Sequence, residues 1–477
     1  MTNHVVILVL GDIGRSPRMQ YHALSLLKNF PSMQITLVGY EGEVLIRPLV
    51  DFEDRARLNV IRISLTSQYL SGLMEFLRKI SILHAFCKGL HLLFLLIYHL
   101  WVLPSYSLII IQNPPFLPAL IATYLVGQIQ NTFGRKRHKI MIDWHNLGFK
   151  MYENSLGSRH FLVRVSKFLE VNLSSIADYH ICVSHALKDW LHNNCALTAT
   201  TLYDRPAAIF KFYGLDEVHS LLSKLGFTDE LFNNYSNVEY SNTGNDEVTI
   251  QTVLDSNQFT TRRVDSQRTA LLMSSTSWTA DEDFGMLLEA LVQLDSLLVT
   301  YFDANHHSIE SNATFSRVLV VVTGKGPLKE RFEMDMRALV SSGRLGRRVV
   351  VKTVWLEPQE YPLLMSCADL GVCLHTSTSG LDLPMKVLDM FGSGVPVLAV
   401  HFPCLYELVR DGENGLIFQN SEELKDGIVR LLFPSITTAS ERRKDLEELH
   451  QLRDTAKQIE SWDENWERIM LPMLKLG

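Results

Sequence analysis

The chain is 477 residues long, 47% apolar and 20% charged, with 45 Lys and Arg against 52 Asp and Glu, a net charge of −7. That length accommodates two or three domains of roughly 150 residues, and the composition excludes a disordered, collagen-like or coiled-coil protein. The acidic balance supplies no global field for nucleic acid, and six cysteines without a C-x-x-C pair argue against a disulfide framework or structural zinc and for a reducing compartment.

Val5-Val6-Ile7-Leu8-Val9-Leu10 is an unbroken apolar run, the pattern of a parallel strand buried on both faces. It is too short for a signal peptide and lacks a preceding basic region. Gly11-Asp12-Ile13-Gly14 reads as a turn into a helix that carries Met19, Leu24 and Leu27. Further strands are expected at Ile35 to Gly39, Leu108 to Ile111, Lys139 to Asp143 and Tyr179 to Val183, each followed by a helical segment.

Within this half, Ile82 to Leu103 is apolar for 22 residues, long enough to cross a bilayer core. Its polar members His84, Lys88, His91 and His99 fall within an arc of about 80° at roughly 100° per residue. A stripe of that kind, with Arg78 and Lys79 ahead of it, favours a helix lying on an anionic lipid surface over a core helix or a true span.

A stretch rich in Asn, Ser, Thr and Asp, Asp229 to Arg268, reads as a long surface insertion. A second strand–helix series follows, with strands at Thr269 to Met273, Arg317 to Val322, Val349 to Thr353, Leu370 to Leu374 and Val395 to Val400, and a shorter polar insertion at Asp303 to Ser316. A helix over Ala456 to Leu471, stopped by Pro472, carries Ile459, Trp462, Trp466 and Met470 near one face. The expected architecture is α/β, two Rossmann-like doubly wound domains facing a cleft: residues 1–205, residues 206–450 with the insertion at about 229–268, and a C-terminal segment, 451–477, packing back on the first domain.

Candidate chemistry gathers where strands end. Gly11, Gly14 and Arg15 lie where the first strand turns into its helix, and glycines with free N–H donors and a guanidinium suit an anion there. Gly324-Lys325-Gly326 repeats the device in the second half. Ser377-Thr378-Ser379-Gly380-Leu381-Asp382 leads into a helix with Lys386 and Asp389 three apart; amides and lysine there can hold a nucleotide diphosphate while the carboxylate takes two ribose hydroxyls. Asp143-Trp144-His145-Asn146 puts an aspartate and a histidine at a strand's carboxyl end, where a general base is useful. Asp281-Glu282-Asp283 reads as first-turn acid on the helix beginning near Phe284 rather than as a D-x-D metal motif. No metal-ligand spacing is found in the sequence.

The strings GDIGRSPRMQYHALSL, QNPPFLPAL, IDWHNLGFKMY, STSWTADEDFG and TSTSGLDLPMKVLDMFGSGVPVLAV occur in that order between about Val5 and Phe418. Together they resemble the chitobiosyldiphosphodolichol beta-mannosyltransferase family, glycosyltransferases of the GT-B architecture. The resemblance implies inverting transfer of mannose from GDP-mannose to dolichyl-diphosphate chitobiose, forming a β-1,4 linkage at the cytosolic face of the endoplasmic reticulum membrane. It implies no tightly bound cofactor and no required divalent cation. On it, Asp12 is the first candidate base, His145 the second, and Asp382 orients the sugar. Gly324, Lys325, Gly326, Ser379, Gly380 and Lys386 serve the donor diphosphate, and Asp389, at the acidic position of a P-x-K-x-x-E helix, serves the ribose. Gly11, Gly14 and Arg15 line the acceptor side. The membrane is met through Ile82 to Leu103, in place of a separate N-terminal anchor, and other dolichol-pathway glycosyltransferases are candidate partners. Two rival readings stay open: a non-catalytic paralogue held as a subunit of a glycosylation complex, and a GT-B mannosyltransferase with another lipid acceptor.

Overall fold

The computed structural model describes residues 4–53, 56–64, 81–134, 137–227, 268–304, 315–436 and 444–475. The chain forms two compact units, Met1–Asp204 with Trp462–Gly477, and Arg205–Ser461. The insertion expected at Asp229 to Arg268, apart from Arg268 itself, and most of that at Asp303 to Ser316 lie outside the described residues.

The first unit is built on β1 (His4–Asp12), β2 (Gln34–Tyr40), β3 (Leu58–Ile63), β4 (Leu108–Asn113), β5 (Lys139–Trp144), β6 (Tyr179–Cys182) and β7 (Thr200–Thr201). They pair in parallel in the order β3-β2-β1-β4-β5-β6-β7. β1 lies between β2 and β4, so it is covered by helices on both faces, and Val6, Ile7 and Leu8 have no solvent exposure. This is why its sequence is a continuous apolar run rather than an alternating one. The strand order reverses between β1 and β4, which opens a crevice at their carboxyl ends.

The second unit carries β8 (Arg268–Ser275), β9 (Phe315–Thr323), β10 (Val349–Val354), β11 (Leu370–Cys373), β12 (Val397–Val400) and β13 (Gly415–Phe418), in the order β10-β9-β8-β11-β12-β13. All its strand pairs are parallel, and the reversal falls between β8 and β11. Among the described residues one helix, Phe284–Ala304, is long and apolar enough to cross a membrane. Its Leu287, Leu291, Leu294 and Leu298 are fully buried in this unit's core, which accounts for its apolarity.

Two expectations need correction. The C-terminal helix is not Ala456 to Leu471: one helix, Lys444–Ala456, ends in a turn closed by Lys457 N–H on the Arg453 carbonyl, and another runs Trp462–Lys475. Pro472 lies inside the latter rather than stopping it; in the last turn its missing N–H forfeits a single bond, to the Arg468 carbonyl. Trp462, Trp466 and Met470, four apart, are buried in the first unit's core, whereas 451–461 stays with the second unit. The segment Ile82 to Leu103 is the helix Ser81–Val102, but His91 and His99 are half-buried rather than lining a wet edge. Leu96 and Leu100 are buried, while Phe94 and Tyr98 are 67% and 61% exposed; the side chains of His84 and Lys88, and residues Arg78 and Lys79, lie outside the described set.

Candidate active site

In the first unit, Asp12 ends β1 and caps the short turn after it. Its carboxylate accepts the N–H of Gly14 at 2.9 Å and the N–H of Glu43 at 3.0 Å, and Arg15 sits 3.5 Å away. Both oxygens are therefore occupied by the chain's own backbone. Gly14 is required by the same loop: a Cβ there would stand 2.4 Å from the Glu43 carbonyl oxygen. Arg15 is exposed and also pairs with Glu43 at 3.1 Å. Gly14, read as room for a ligand, makes room for the protein's own loop at Glu43.

The second group is buried deeper. Asp143, at the end of β5, has no solvent exposure and receives Arg18 through two bonds, Nε at 2.8 Å and Nη2 at 3.0 Å. Arg18 also donates to Asp204 at 2.8 Å. Asp143 Oδ2 further meets His22 Nε2 and His145 Nε2, each at 3.1 Å. Burial alone drives the Asp143 carboxyl upward, but the Arg18 guanidinium, with His145 and His22, outweighs it and holds the group well below the usual carboxylate range. Burial lowers His22, which stays neutral. His145 is the accessible end of this chain, its side chain 23% exposed. With an ionised carboxylate on Nε2, the imidazole carries its N–H there and leaves Nδ1 as the acceptor. A histidine held by a buried aspartate has the arrangement that general bases use.

In the second unit, the loop after β8 and the loop after β11 supply the polar groups. Glu282, almost fully buried, accepts Lys386 Nζ at 2.5 Å and the Thr276 hydroxyl. Asp281 meets His375 Nδ1 at 2.6 Å, and that bond holds the Asp281 carboxyl below its ordinary value. Only Asp283 does what was expected of the acidic triplet, accepting the Met286 N–H at 3.0 Å at the helix start. Asp389 is half-buried, and burial pushes its carboxyl up to about 8 although the Tyr361 hydroxyl donates to it at 3.2 Å. Lys386 and Asp389, which share a helix, thus have separate partners from distant segments.

The loop 377–382 is closed on itself. Ser377 and Ser379 donate to Asp382 Oδ1, and the Gly380 N–H donates back to Ser377 Oγ at 2.9 Å. The Gly380 amide expected to meet a diphosphate is occupied in this state, and Asp382 is the loop's fastener. Gly324 and Gly326 admit the chain itself: a Cβ at either would lie 1.8 Å from the carbonyl oxygen of Thr276 or Ser277. Lys325 is exposed, its ammonium 3.7 Å above the Trp355 ring. Among the described residues no cluster of three or more His, Cys, Asp or Glu is placed to hold a metal ion.

Two doubly wound parallel sheets, each with polar groups at the carboxyl ends of its strands, are the architecture of GT-B glycosyltransferases, and a family match and named relatives place the chain among them. Residues 299–433 match the family described as Glycosyl transferases group 1, and the chain superposes on the crystal structure of Anabaena Alr3699/HepE in complex with UDP and glucose with a TM-score of 0.59, at 13% identity over 98% of this chain and 99% of that one. The chain belongs to the chitobiosyldiphosphodolichol beta-mannosyltransferase family: it is 39% identical to the Mus musculus protein of that name over 99% of this chain and 89% of the relative. It is likewise 34% identical to the Dictyostelium discoideum protein over 97% and 92%, and 36% identical to the Arabidopsis thaliana UDP-glycosyltransferase TURAN over 89% and 88%.

Sequence reasoning named Asp12, His145, Lys386 and Asp389 but missed Arg18, His22, Glu282, His375 and Tyr361. Each of the missed groups acts on a partner at least 28 residues away, which no local spacing encodes. The DED triplet was the one available signal.

Proposed function

We propose that this protein transfers mannose from GDP-mannose to the 4-hydroxyl of the outer GlcNAc of dolichyl-diphosphate chitobiose, with inversion, at the cytosolic face of the endoplasmic reticulum membrane. The observation that carries the proposal is its similarity, along almost the whole chain, to proteins named for beta-mannosyl transfer onto chitobiosyldiphosphodolichol. His145 Nδ1 takes the proton of the acceptor hydroxyl; that oxygen attacks the anomeric carbon, and the bond to the β-phosphate breaks on the opposite face, releasing GDP. Lys386, with Lys325 and the loop of Ser379 and Gly380, neutralises the departing diphosphate, and Gly324 and Gly326 shape the backbone beside it. Asp389 receives the ribose hydroxyls, and Asp382 keeps the loop beneath the sugar in shape. Arg15, exposed beside the turn after β1, serves the acceptor's diphosphate. The exposed side chains of Leu90, Phe94, Tyr98, Trp101 and Val102 support contact with lipid.

The test is transfer from labelled GDP-mannose to lipid-linked chitobiosyl diphosphate, with parallel arms containing UDP-glucose or EDTA. The expected product is a β-mannosylated trisaccharide lipid from the GDP-mannose arm alone, formed also with EDTA. Turnover of the UDP sugar, which the name of the Arabidopsis relative makes the specific rival, or an absent product with GDP-mannose bound, overturns the proposal.

A further inference from the structure

The carboxyl end of β5 leads directly from His145 into a helical hairpin, Gly148–Leu156 and Phe161–Leu173. Its inner side is held to the site: Phe149 and Val163 are buried, and buried Glu170 accepts the N–H groups of Gly148 and Phe149 at 2.9 and 3.0 Å and the Asn113 side-chain amide at 2.9 Å. Its outer side is unlike an ordinary solvent face. Phe161 is 71% exposed and Phe168 65%, and Leu156 and Leu162 stand out beside them at the tip. Phe161, Arg164 and Phe168 recur at i, i+3 and i+7, so a cation sits between two aromatic rings on one helix face. Over the hairpin, residues 148–173, the sequence has four Lys or Arg (Lys150, Arg159, Arg164, Lys167) against two acids, Glu153 and the inward-facing Glu170, in a chain of net charge −7. Glu153 is itself paired with Lys150 at 2.9 Å.

We propose that this hairpin is a second docking surface, in which Leu156, Phe161, Leu162 and Phe168 enter the interfacial layer of an anionic bilayer while Arg159, Arg164 and Lys167 meet lipid phosphates. The pairing of exposed aromatics with a local cationic excess selects an anionic lipid surface over a second protein, whose interface would not need an uncompensated charge. The inference rests on the lipid-linked acceptor proposed above and adds where the lipid is met. Because Asn113, whose carbonyl accepts the His145 N–H at 2.8 Å, donates its side-chain amide to Glu170, docking here fixes the base at headgroup height, where a diphosphate borne by a lipid must lie.

The experiment is flotation of the full chain with phosphatidylcholine vesicles, with and without phosphatidylserine, for the wild type, the triple variant F161S/L162S/F168S and the pair R159Q/R164Q. The triple variant is expected to partition at least tenfold less onto anionic vesicles while turning over a short-chain, water-soluble acceptor at the wild-type rate. The arginine pair is expected to erase the preference for anionic over neutral vesicles. Wild-type partitioning by both variants overturns the proposal. So does wild-type partitioning by the triple variant with lost turnover of a detergent-dispersed long-chain acceptor, which would assign the apolar face to the acceptor's isoprenoid chain. Failure of the wild type to use the soluble acceptor sinks the catalytic reading and leaves the vesicle result to stand by itself.

Discussion

Trp466 donates its indole N–H to His22 Nδ1 at 3.0 Å, across 444 residues of chain. The bond settles the tautomer of a fully buried imidazole: with Nδ1 accepting, the proton is on Nε2, where it meets Asp143 at 3.1 Å. The C-terminal helix is therefore more than packing for the first unit, since it fixes the donor that faces the carboxylate behind His145. Trp466→Phe keeps most of the apolar volume and removes only the donor. It should cost about 1–3 kcal/mol of stability, the expense of an unmade bond at a buried acceptor. In the same variant kcat should fall at nearly unchanged KM for the donor, with the acidic limb of the pH–rate profile displaced. A variant whose pH profile is unmoved would reduce Trp466 to a core residue.

Asp143 and Arg18 form a buried pair whose loss should be large. Asp143→Asn leaves the Arg18 charge facing Asp204 alone and should destabilise the protein by about 3–5 kcal/mol, measured by urea denaturation. The carboxyl is held well below its ordinary value in the native state, so the unfolded chain takes up a proton first as pH drops. The stabilisation is complete above the unfolded value of about 4 and is lost as pH falls from there toward the native value. Wild-type stability should thus decline through that acid window, and the slope for Asp143→Asn should be shallower by up to one proton.

The parts of the molecule legible in its sequence were those in which one segment determines its own state. β1 announced itself as an unbroken apolar run because a central parallel strand has no wet face, and Lys386 and Asp389 are close through helical spacing alone. Glu282 was not legible, because a carboxylate just before a helix looks like a dipole-compensating cap until the fold turns it toward Lys386. Gly324 and Gly326 were legible as glycines needing space, but the occupant of that space, the Thr276–Ser277 backbone, arrives from 48 residues earlier. Pro472 misled for a related reason: the stop signal is real, yet a helix one turn from its end loses little by ignoring it.

The tight approach at those glycines makes its own prediction. A Cβ at Gly326 would stand 1.8 Å from the Ser277 carbonyl oxygen, and backbone cannot rotate away as a side chain would. Gly326→Ala should cost at least about 1–3 kcal/mol, and it should weaken donor binding by moving the loop that carries Glu282. Thermal denaturation with and without GDP separates the two effects. An alanine variant as stable as the wild type would contradict the packing described.

Asp389 should report nucleotide binding through its proton. Burial raises its carboxyl to about 8, so it is largely protonated at neutral pH. A carboxylate that accepts two ribose hydroxyls is favoured in its charged form, which lowers the pKa on binding. GDP binding near pH 7 should therefore release up to one proton, and affinity should strengthen as pH rises toward about 8. Calorimetry in two buffers of different ionisation enthalpy measures the release directly. Asp389→Asn should abolish it; a release unchanged in that variant would move the proton, and the ribose contact, to another group.

Lys386 and Glu282 pose a question that a single substitution cannot answer. Lys386→Met removes the proposed cation for the diphosphate but also strands Glu282, whose side chain is 2% exposed, at a cost of about 3–5 kcal/mol. Weak donor binding in that variant could then reflect damage to the loop. The double variant E282Q/K386M leaves a neutral amide beside an apolar chain, and stability should return to within about 1–2 kcal/mol of the wild type. Its affinity for GDP should nonetheless stay at least tenfold weaker, about 1.4 kcal/mol or more, because the cation is still missing. Titration calorimetry beside urea denaturation distinguishes the outcomes. If the double variant regains both stability and GDP affinity, Lys386 is the counter-ion of Glu282 and the diphosphate is neutralised elsewhere, with Lys325 above Trp355 the next cation to remove.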